Sequence, residues 1–188
     1  LLKFLEEPST PLVAILTTTN IEKCLPTIVS RCVTVKVNPL SFKEVIKGNE
    51  ERFSREQAYA LSLFAPTFKE METLSRSDDF INAFQVSETF ISDLVSSLEK
   101  AGFGLLKEGS GLLKTQKSIK YFATILIKVF SNVLSSNYSD SFSTFAISVK
   151  PYKDSLPKTI DVLADILNTL PANMNTTLSL ARIINSLK

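Results

Sequence analysis

Residues 115–135 read TQKSIKYFATILIKVFSNVLS, and this stretch decides the fold class. Its apolar side chains recur at the i, i+3, i+4 and i+7 positions that make up one face of an α-helix. These side chains are Ile119, Phe122, Ala123, Leu126, Phe130, Val133 and Leu134. The stretch therefore predicts a long amphipathic helix, the clearest in the chain.

Further helices are predicted on both sides of this stretch. Ser54 is placed as the N-cap of a helix that Pro66 ends, and a third short piece covers 67–75. Apolar residues recur at helical spacing from Ser87 until Ala101 and Gly102. Further helix starts are predicted at Ser41, at Ser155 with Pro157 in its first turn, and at the N-cap Asn175.

Residues 142–149 fit two patterns. Phe145, Ile147 and Val149 alternate as in a strand, whereas Phe142, Phe145, Ala146 and Val149 fit a helical face. The helical surroundings favour a helix. All of the chain after residue 39 is therefore predicted to be helical.

Residues 1–38 have a different pattern. The segment 1–7 is typical of the last turns of a helix, ended by a proline. The apolar run 12–16 suits a strand buried on both faces, and the alternating valines of 33–37 suit a second strand. A short helix is predicted between them, over 26–30. The fold class is therefore mainly α, with a short α/β remnant at the beginning.

The composition narrows the function. The chain has 188 residues, of which 44% are hydrophobic and 21% charged, which is typical of a globular protein. Its formal net charge of +2 is too small to argue by itself for nucleic acid or an acidic surface. With 0 His, a His-based catalytic triad or His metal site cannot form in this chain.

Four lysines stand in a window of sequence without any acidic residue: Lys114, Lys117, Lys120 and Lys128. Most of them lie off the apolar face of the long helix. A solvated helix face is the first interpretation, and a face turned to phosphate or to a partner is the second.

The longest apolar stretch, residues 121–130, is interrupted by Lys128 and is shorter than the roughly 20 residues that a membrane helix needs. We therefore expect a soluble, cytoplasmic protein with no membrane contact. The chain begins at Leu1 without Met or a signal peptide, so we expect it to be a piece of a longer protein.

Two further patterns, one of glycines and one of cysteines, do not match the binding sites that they resemble. The glycines at 102, 104, 109 and 111 do not match a phosphate-binding loop, because Lys107 and Ser110 stand where such loops need Gly and Lys. A flexible interhelical loop is expected there. Cys24 and Cys32 offer two thiols where a zinc site needs four ligands, so free thiols and no metal site are expected.

Paired acidic residues occur at 6–7, 50–51 and 78–79. The two carboxylates of each pair are adjacent in sequence rather than convergent on one site. They are therefore interpreted as solvated helix ends or turns, not as acid/base catalysts.

Three motifs in the first 32 residues carry a family resemblance. They are LLKFLEEP (1–8), ILTTTN (15–20) and LPTIVSRC (25–32). In this order and spacing they closely resemble bacterial DNA polymerase III clamp-loader subunits of the AAA+ superfamily. The resemblance implies the end of an AAA+ domain over 1–38, a helical lid over 39–85 and a helical collar, through which five subunits associate, over 86–188.

The resemblance also implies site residues. The Ser30-Arg31-Cys32 motif supplies an arginine finger, Arg31, to the nucleotide of a neighbouring subunit. The sensor 1 position falls on Thr19, with Thr18 and Asn20 as alternatives. The plain alternative for Arg31 is a cation placed at the negative end of a helix.

Within the family, the choice lies between a delta prime type subunit and the ATP-hydrolysing tau/gamma type. LKFLEEP favours delta prime, and APTFK (65–69) lacks the Gly and Arg of the sensor 2 segment found in ATP-binding relatives. Thr176 stands where delta prime subunits commonly have Pro. This chain contains no Walker A loop, so it is expected to bind no cofactor, with ATP and Mg²⁺ held by neighbouring subunits.

The implied partners are the tau/gamma and delta subunits, and, through the assembled loader, the sliding clamp and primed DNA. The implied function is to help load the clamp as part of the DNA polymerase III holoenzyme, without intrinsic ATPase activity. Two alternatives remain: a helical protein-interaction module without finger function, and direct DNA binding by the lysines of 114–128.

Overall fold

The computed structural model describes residues 13–37, 44, 52–136, 142–170 and 175–188. The chain divides into two compact units, Leu1–Pro39 and Leu40–Lys188. The helix predicted over 1–7, the first residue of the run 12–16 and the start at Ser41 lie outside the described residues.

The prediction of a mainly α protein is confirmed for the described residues. The first unit contains a 3-10 segment, Ile21–Lys23, and a short helix α1, Pro26–Val29. The second unit contains α2 (Arg55–Ser62), α3 (Phe68–Ser75), α4 (Asp78–Ser96), α5 (Leu98–Gly104), α6 (Ser110–Leu112), α7 (Gln116–Leu134), α8 (Ser143–Val149), α9 (Leu156–Thr169) and α10 (Thr176–Ser186). A π-helical segment, Leu105–Gly109, joins α5 to α6, and a 3-10 segment, Lys150–Ser155, joins α8 to α9.

Helix α7 is the long helix predicted from residues 115–135, and it is the centre of the second unit. It packs against α4, α8 and α9. A capping box begins it, in which the Thr115 hydroxyl accepts from the Ser118 amide at 3.0 Å and the Thr115 amide donates to the Ser118 hydroxyl at 3.2 Å. The Thr115 hydroxyl also donates to Asp79 in the first turn of α4, at 2.6 Å.

An aromatic layer ties α2 and the residues after it to this centre. The Phe64 ring lies 4.8 Å from the Tyr121 ring of α7, and the Phe80 ring lies 5.8 Å from it on another side. The Tyr59 ring meets Phe142 edge-on at 4.7 Å. These edge-to-face arrangements are the favoured geometry for aromatic pairs, so they fix the angle at which α2 approaches.

The segments interpreted as lid and collar therefore share one hydrophobic core in the described residues. Ala60, Leu61 and Met71 of the first segment belong to the same buried cluster as Phe122 and Leu163 of the second. Helix α4 runs through the expected boundary between residues 85 and 86. A division there stays a prediction.

The starts predicted at Ser54, Ser155 and Asn175 are confirmed, with a side-chain cap at Ser54 and Asn175 and none at Ser155. The Ser54 hydroxyl accepts from the Gln57 amide at 3.1 Å, and Asn175 Oδ1 accepts from the Leu178 amide at 3.1 Å. In the ambiguous segment 142–149, residues 143–149 form a helix, as expected, and Phe142 lies just before it. None of the helices in the described ranges is long and apolar enough to span a bilayer.

The start predicted at Ser87 is wrong. Helix α4 begins at Asp78. Two acidic residues occupy its first turn, where the positive end of the helix dipole stabilises their negative charge. Phe80, Ala83 and Phe84 continue the buried face back to that start. The end predicted at Ala101 and Gly102 is also wrong, because α4 stops at Ser96 and a second helix follows.

The flexible loop predicted over the glycines of 102–111 is wrong as well. These residues are helical, in α5, the π-helical segment and α6. At Gly102 the missing side chain is used for close packing, because a Cβ there would lie 3.1 Å from Ile184 Cγ2 of α10. The same pattern of glycines occurs in closely packed helices and in flexible loops. Here the contact with Ile184 shows that it allows close helix packing.

The two strands predicted in the first unit do not form among the described residues. Residues 13–16 and 33–37 have no regular secondary structure. Their apolar side chains are exposed, with Ile15 at 85% and Val33 at 92%. A strand needs a neighbouring strand for its backbone N–H and C=O groups, and an apolar pattern cannot supply that partner.

Phe142 is held in an unusual backbone conformation by its packing. It has φ 47° and ψ 33°, in the left-handed region, immediately before α8. Bulky residues are rare there, and the conformation costs about 1–3 kcal/mol. The side chain is only 1% exposed and stacks on Phe145 with 5.4 Å between ring centroids. Burial of the ring therefore offsets the backbone strain.

We expect Phe142→Ala to lower the free energy of unfolding by about 3–5 kcal/mol, because it removes a fully buried ring. Phe103→Ala is the matched control, since Phe103 is 66% exposed, and it should change the free energy by less than about 1 kcal/mol. Urea unfolding followed by circular dichroism measures both values. Equal losses for the two variants would contradict the packing described for Phe142.

Gly102→Val should destabilise the chain by about 1–3 kcal/mol, because the new side chain meets Ile184. Gly111→Val is the control, since a Cβ at Gly111 has nothing within 4 Å, and it should stay within about 0.5 kcal/mol of the parent. Thermal and urea denaturation report the difference. A Gly102 variant as stable as the Gly111 variant would show that α5 and α10 do not need this close approach.

Candidate functional site

Arg31 lies just after the C-terminal end of helix α1. Pro26 occupies the first turn of this helix, where its fixed φ and missing N–H are tolerated, and Ser30 is the C-cap. The Arg31 amide donates to the Ile28 carbonyl at 3.1 Å, so the chain turns away from the helix at this residue. The side chain is exposed.

The carbonyl of Thr27 positions the guanidinium. Arg31 Nη1 donates to this oxygen at 2.9 Å, and the Ser30 hydroxyl donates to it at 3.2 Å. A cation at the C-terminal end of a helix is stabilised by the helix dipole. The plain interpretation of Arg31, a cation at the end of a helix, is therefore part of its geometry.

Thr27 is a positioning residue that the sequence analysis did not single out. Its carbonyl lies three residues before Ser30 and four before Arg31, which is the spacing that places side chains over a last helical turn. That spacing was available in LPTIVSRC. The spacing did not identify Thr27 because the acceptor is a backbone carbonyl. Every residue type has one, so the sequence does not distinguish it.

The polar residues of 18–20 form a separate turn. The Thr18 hydroxyl donates to the Asn20 carbonyl at 3.0 Å and accepts from the Asn20 amide at 3.2 Å. Asn20 Oδ1 accepts from the Glu22 amide at 2.9 Å and so caps the segment Ile21–Lys23. Both of these side chains bond within the turn. Thr19 is exposed, and its hydroxyl has no hydrogen-bond partner in the part of the chain that is described.

Cys32 follows the guanidinium in the same turn. Its amide donates to the Val29 carbonyl at 3.3 Å, and its side chain is half-buried. Cys24 is also half-buried, with its thiol 3.8 Å from the Asn20 carbonyl oxygen. Both cysteines are free, as expected. Among the described residues, no group of three or more His, Cys, Asp or Glu side chains is placed to hold a metal ion.

Ser30, Arg31 and Cys32 therefore meet at one place, and Thr19 lies in another turn of the same unit. The chemistry available at the end of α1 is that of a positioned, exposed cation. A guanidinium is planar and always charged, and it recognises oxyanions such as phosphate with several parallel donors. An arrangement of this kind can bind an anion carried by another molecule.

The segment 65–69 lies in the second unit and has a structural role in the described residues. Ala65 is buried, and Thr67 is the N-cap of α3. The Thr67 hydroxyl and amide both bond with Glu70, which completes a capping box. Lys69 is exposed on the first turn.

Comparison with known proteins points to one family. Residues 1–41, which include Thr19 and the motif 30–32, match the family model described as DNA polymerase III, delta subunit. Over 81 residues the chain is 38% identical to the DNA polymerase III subunit delta' of Bacillus subtilis (strain 168). That alignment covers 43% of this chain and 25% of the length of the relative. No solved structure matches the chain.

Proposed function

We propose that this chain is the C-terminal part of a delta prime type clamp-loader subunit. The resemblance to such subunits is confirmed over residues 1–41 and over an 81-residue alignment. In this role the chain helps a cytoplasmic loader of five subunits to place the sliding clamp on primed DNA. Residues 1–38 end the AAA+ domain, 39–85 form its lid and 86–188 form the collar.

The observation that carries the proposal is the position of Arg31. It lies inside the segment that matches the family model, and its side chain is exposed at the end of α1. The Thr27 carbonyl holds one nitrogen of the guanidinium at 2.9 Å. A cation anchored to its own helix in this way loses less conformational freedom when it binds an anion outside.

The proposed chemistry is that of an arginine finger acting in trans. Negative charge develops on the oxygens of a transferring phosphoryl group, and an arginine supplied by a second protein stabilises it. The neighbouring tau/gamma subunit holds the ATP and the Mg²⁺. This chain contributes Arg31, and Ser30 and Cys32 complete the turn that presents it.

Thr19 is the proposed sensor 1 position. Of the three polar side chains in its turn, Thr18 and Asn20 are engaged in hydrogen bonds that shape the turn. The hydroxyl of Thr19 is the one that faces outward without such a bond in the described residues. This distribution supports Thr19 over the two alternatives, in a subunit that does not itself hydrolyse ATP.

The exposed apolar side chains of 13–16 and 33–37 support the α/β assignment of the first unit. Valines at alternating positions are typical of a strand whose faces are covered, so their exposure here indicates that a covering partner is needed. We propose that the other strands of the AAA+ sheet belong to the longer protein. Residues 13–16 and 33–37 would pair with them there.

The delta prime type is favoured over tau/gamma because the relative with 38% identity is a delta' subunit. The segment 65–69 supports the same choice, because it caps α3 and contains neither the Gly nor the Arg of a sensor 2 motif. A subunit without this motif is expected to contribute its finger but no hydrolysis of its own.

Arg31→Ala in the complete protein should slow ATP hydrolysis at the adjoining site of the reconstituted loader by about 10³-fold or more, because an arginine finger contributes about that much to kcat. Single-turnover hydrolysis with primed DNA and the sliding clamp measures this rate. Size-exclusion chromatography should show that the loader still assembles.

Arg182→Ala is the matched control. Arg182 is a partly exposed arginine of α10 that pairs with Asp165, so its loss should leave hydrolysis unchanged. If the Arg31 variant also hydrolyses ATP at the parental rate within an assembled loader, Arg31 is no finger. The chain would then act only as an interaction module.

A further inference from the structure

The outward side of helix α7 carries a basic and hydroxylic stripe, made up of Lys117, Lys120, Thr124, Lys128 and Ser131. Successive members are three, four, four and three residues apart, so they lie on one side of the helix. Lys117 and Lys120 are exposed, and the other three are half-buried. At 1.5 Å per residue, the stripe is about 16 Å long between its outer lysines.

The lysines of this stripe form no ion pair within the described part of the second unit. Residues 109–136 contain no Asp or Glu. No ion pair joins Lys117, Lys120 or Lys128 to a carboxylate of the described ranges, whereas Lys100 pairs with Asp93 at 2.7 Å. Asp79, which accepts from Thr115, lies before the first lysine of the stripe.

The position of Lys117 is unfavourable for helix α7 itself. Acidic residues are favoured in the first turn of a helix and basic ones are not, because the N-terminal end is positive. Helix α4 follows this rule with Asp78 and Asp79. Helix α7 breaks it, because its first turn contains Lys117 and no acidic residue. Local rules are most often broken where a residue serves binding.

The side chains of the stripe favour a polyanion over a protein partner. Protein interfaces depend on buried aromatic or aliphatic anchors. The exposed large apolar residues described in the second unit lie outside α7: Phe68, Ile81, Val95, Phe103, Ile147 and Leu178. Lysines interspersed with Thr and Ser hydroxyls are typical of contacts to phosphate oxygens, which position a nucleic acid without reading its bases.

We propose that the α7 stripe binds the sugar-phosphate backbone of DNA without sequence preference. The three lysines contact phosphates, and Thr124 and Ser131 donate hydrogen bonds between them. The stripe has no exposed aromatic ring on which a base could stack, so affinity comes from charge and from counterion release. This proposal concerns a surface of the second unit and does not use Arg31.

The test is fluorescence anisotropy of a labelled primed DNA of arbitrary sequence, titrated with the chain between about 50 and 200 mM salt. We expect the logarithm of the binding constant to fall with the logarithm of salt concentration at a slope of about −3, for three neutralised phosphates. A second DNA of unrelated sequence should bind equally well.

The variant Lys117→Glu with Lys120→Glu should bind DNA about 10-fold or more weakly at low salt, with a slope reduced by about 2. Carboxylates near the N-terminal end of α7 suit the helix dipole, so this variant is expected to fold. The control is Lys153→Glu with Lys158→Glu, which makes the same change in net charge at exposed positions outside the stripe. It should bind as the parent does.

Three outcomes of the DNA titrations would overturn the proposal: no binding at about 50 mM salt, equal weakening by the stripe and control variants, or a strong preference for one DNA sequence. Tighter binding of an acidic polypeptide than of DNA would also overturn it and assign the stripe to a protein partner. The assay needs neither ATP nor the other loader subunits. Its failure is therefore distinguishable from a failure of the Arg31 proposal.

Discussion

The second unit depends on the burial of helix α7. Of its 19 residues, 10 are buried, and Phe122, Leu126, Val129 and Phe130 are fully buried. Helices α4, α8 and α9 each pack against it, and Phe64, just after α2, contacts it through the ring of Tyr121. Helix propensity alone would not hold a 19-residue segment in one place, so tertiary contact on several sides determines the structure.

The first unit presents its chemistry differently. Its helix α1 has only 4 residues and buries none of them. The order around Arg31 comes from local hydrogen bonds, with the Thr27 carbonyl as the shared acceptor. Exposed valines and isoleucines surround this small helix in sequence. The first unit therefore presents an exposed cation close in sequence to exposed apolar side chains, and the proposed arginine finger depends on that exposure.

The sequence predicts this fold best where the determining contacts are local. Capping residues fix the starts of α2, α7 and α10, because each capping side chain lies only three residues from the backbone amide that donates to it. Prediction fails where residues far away in the sequence determine the local structure. Gly102 packs against Ile184 rather than loosening a loop, and the apolar runs 13–16 and 33–37 pair with no strand among the described residues. The same holds for the candidate site. The sequence motif predicted Arg31 but not the Thr27 carbonyl that positions its guanidinium.

The most direct test of the central claim is assembly. The complete protein, mixed with the tau/gamma and delta subunits of the same organism, is passed through size-exclusion chromatography with light scattering. We expect a single complex that contains all three proteins and has the mass of a five-subunit loader. Elution of this protein apart from the other two, at its own mass, would show that it is no subunit of the loader.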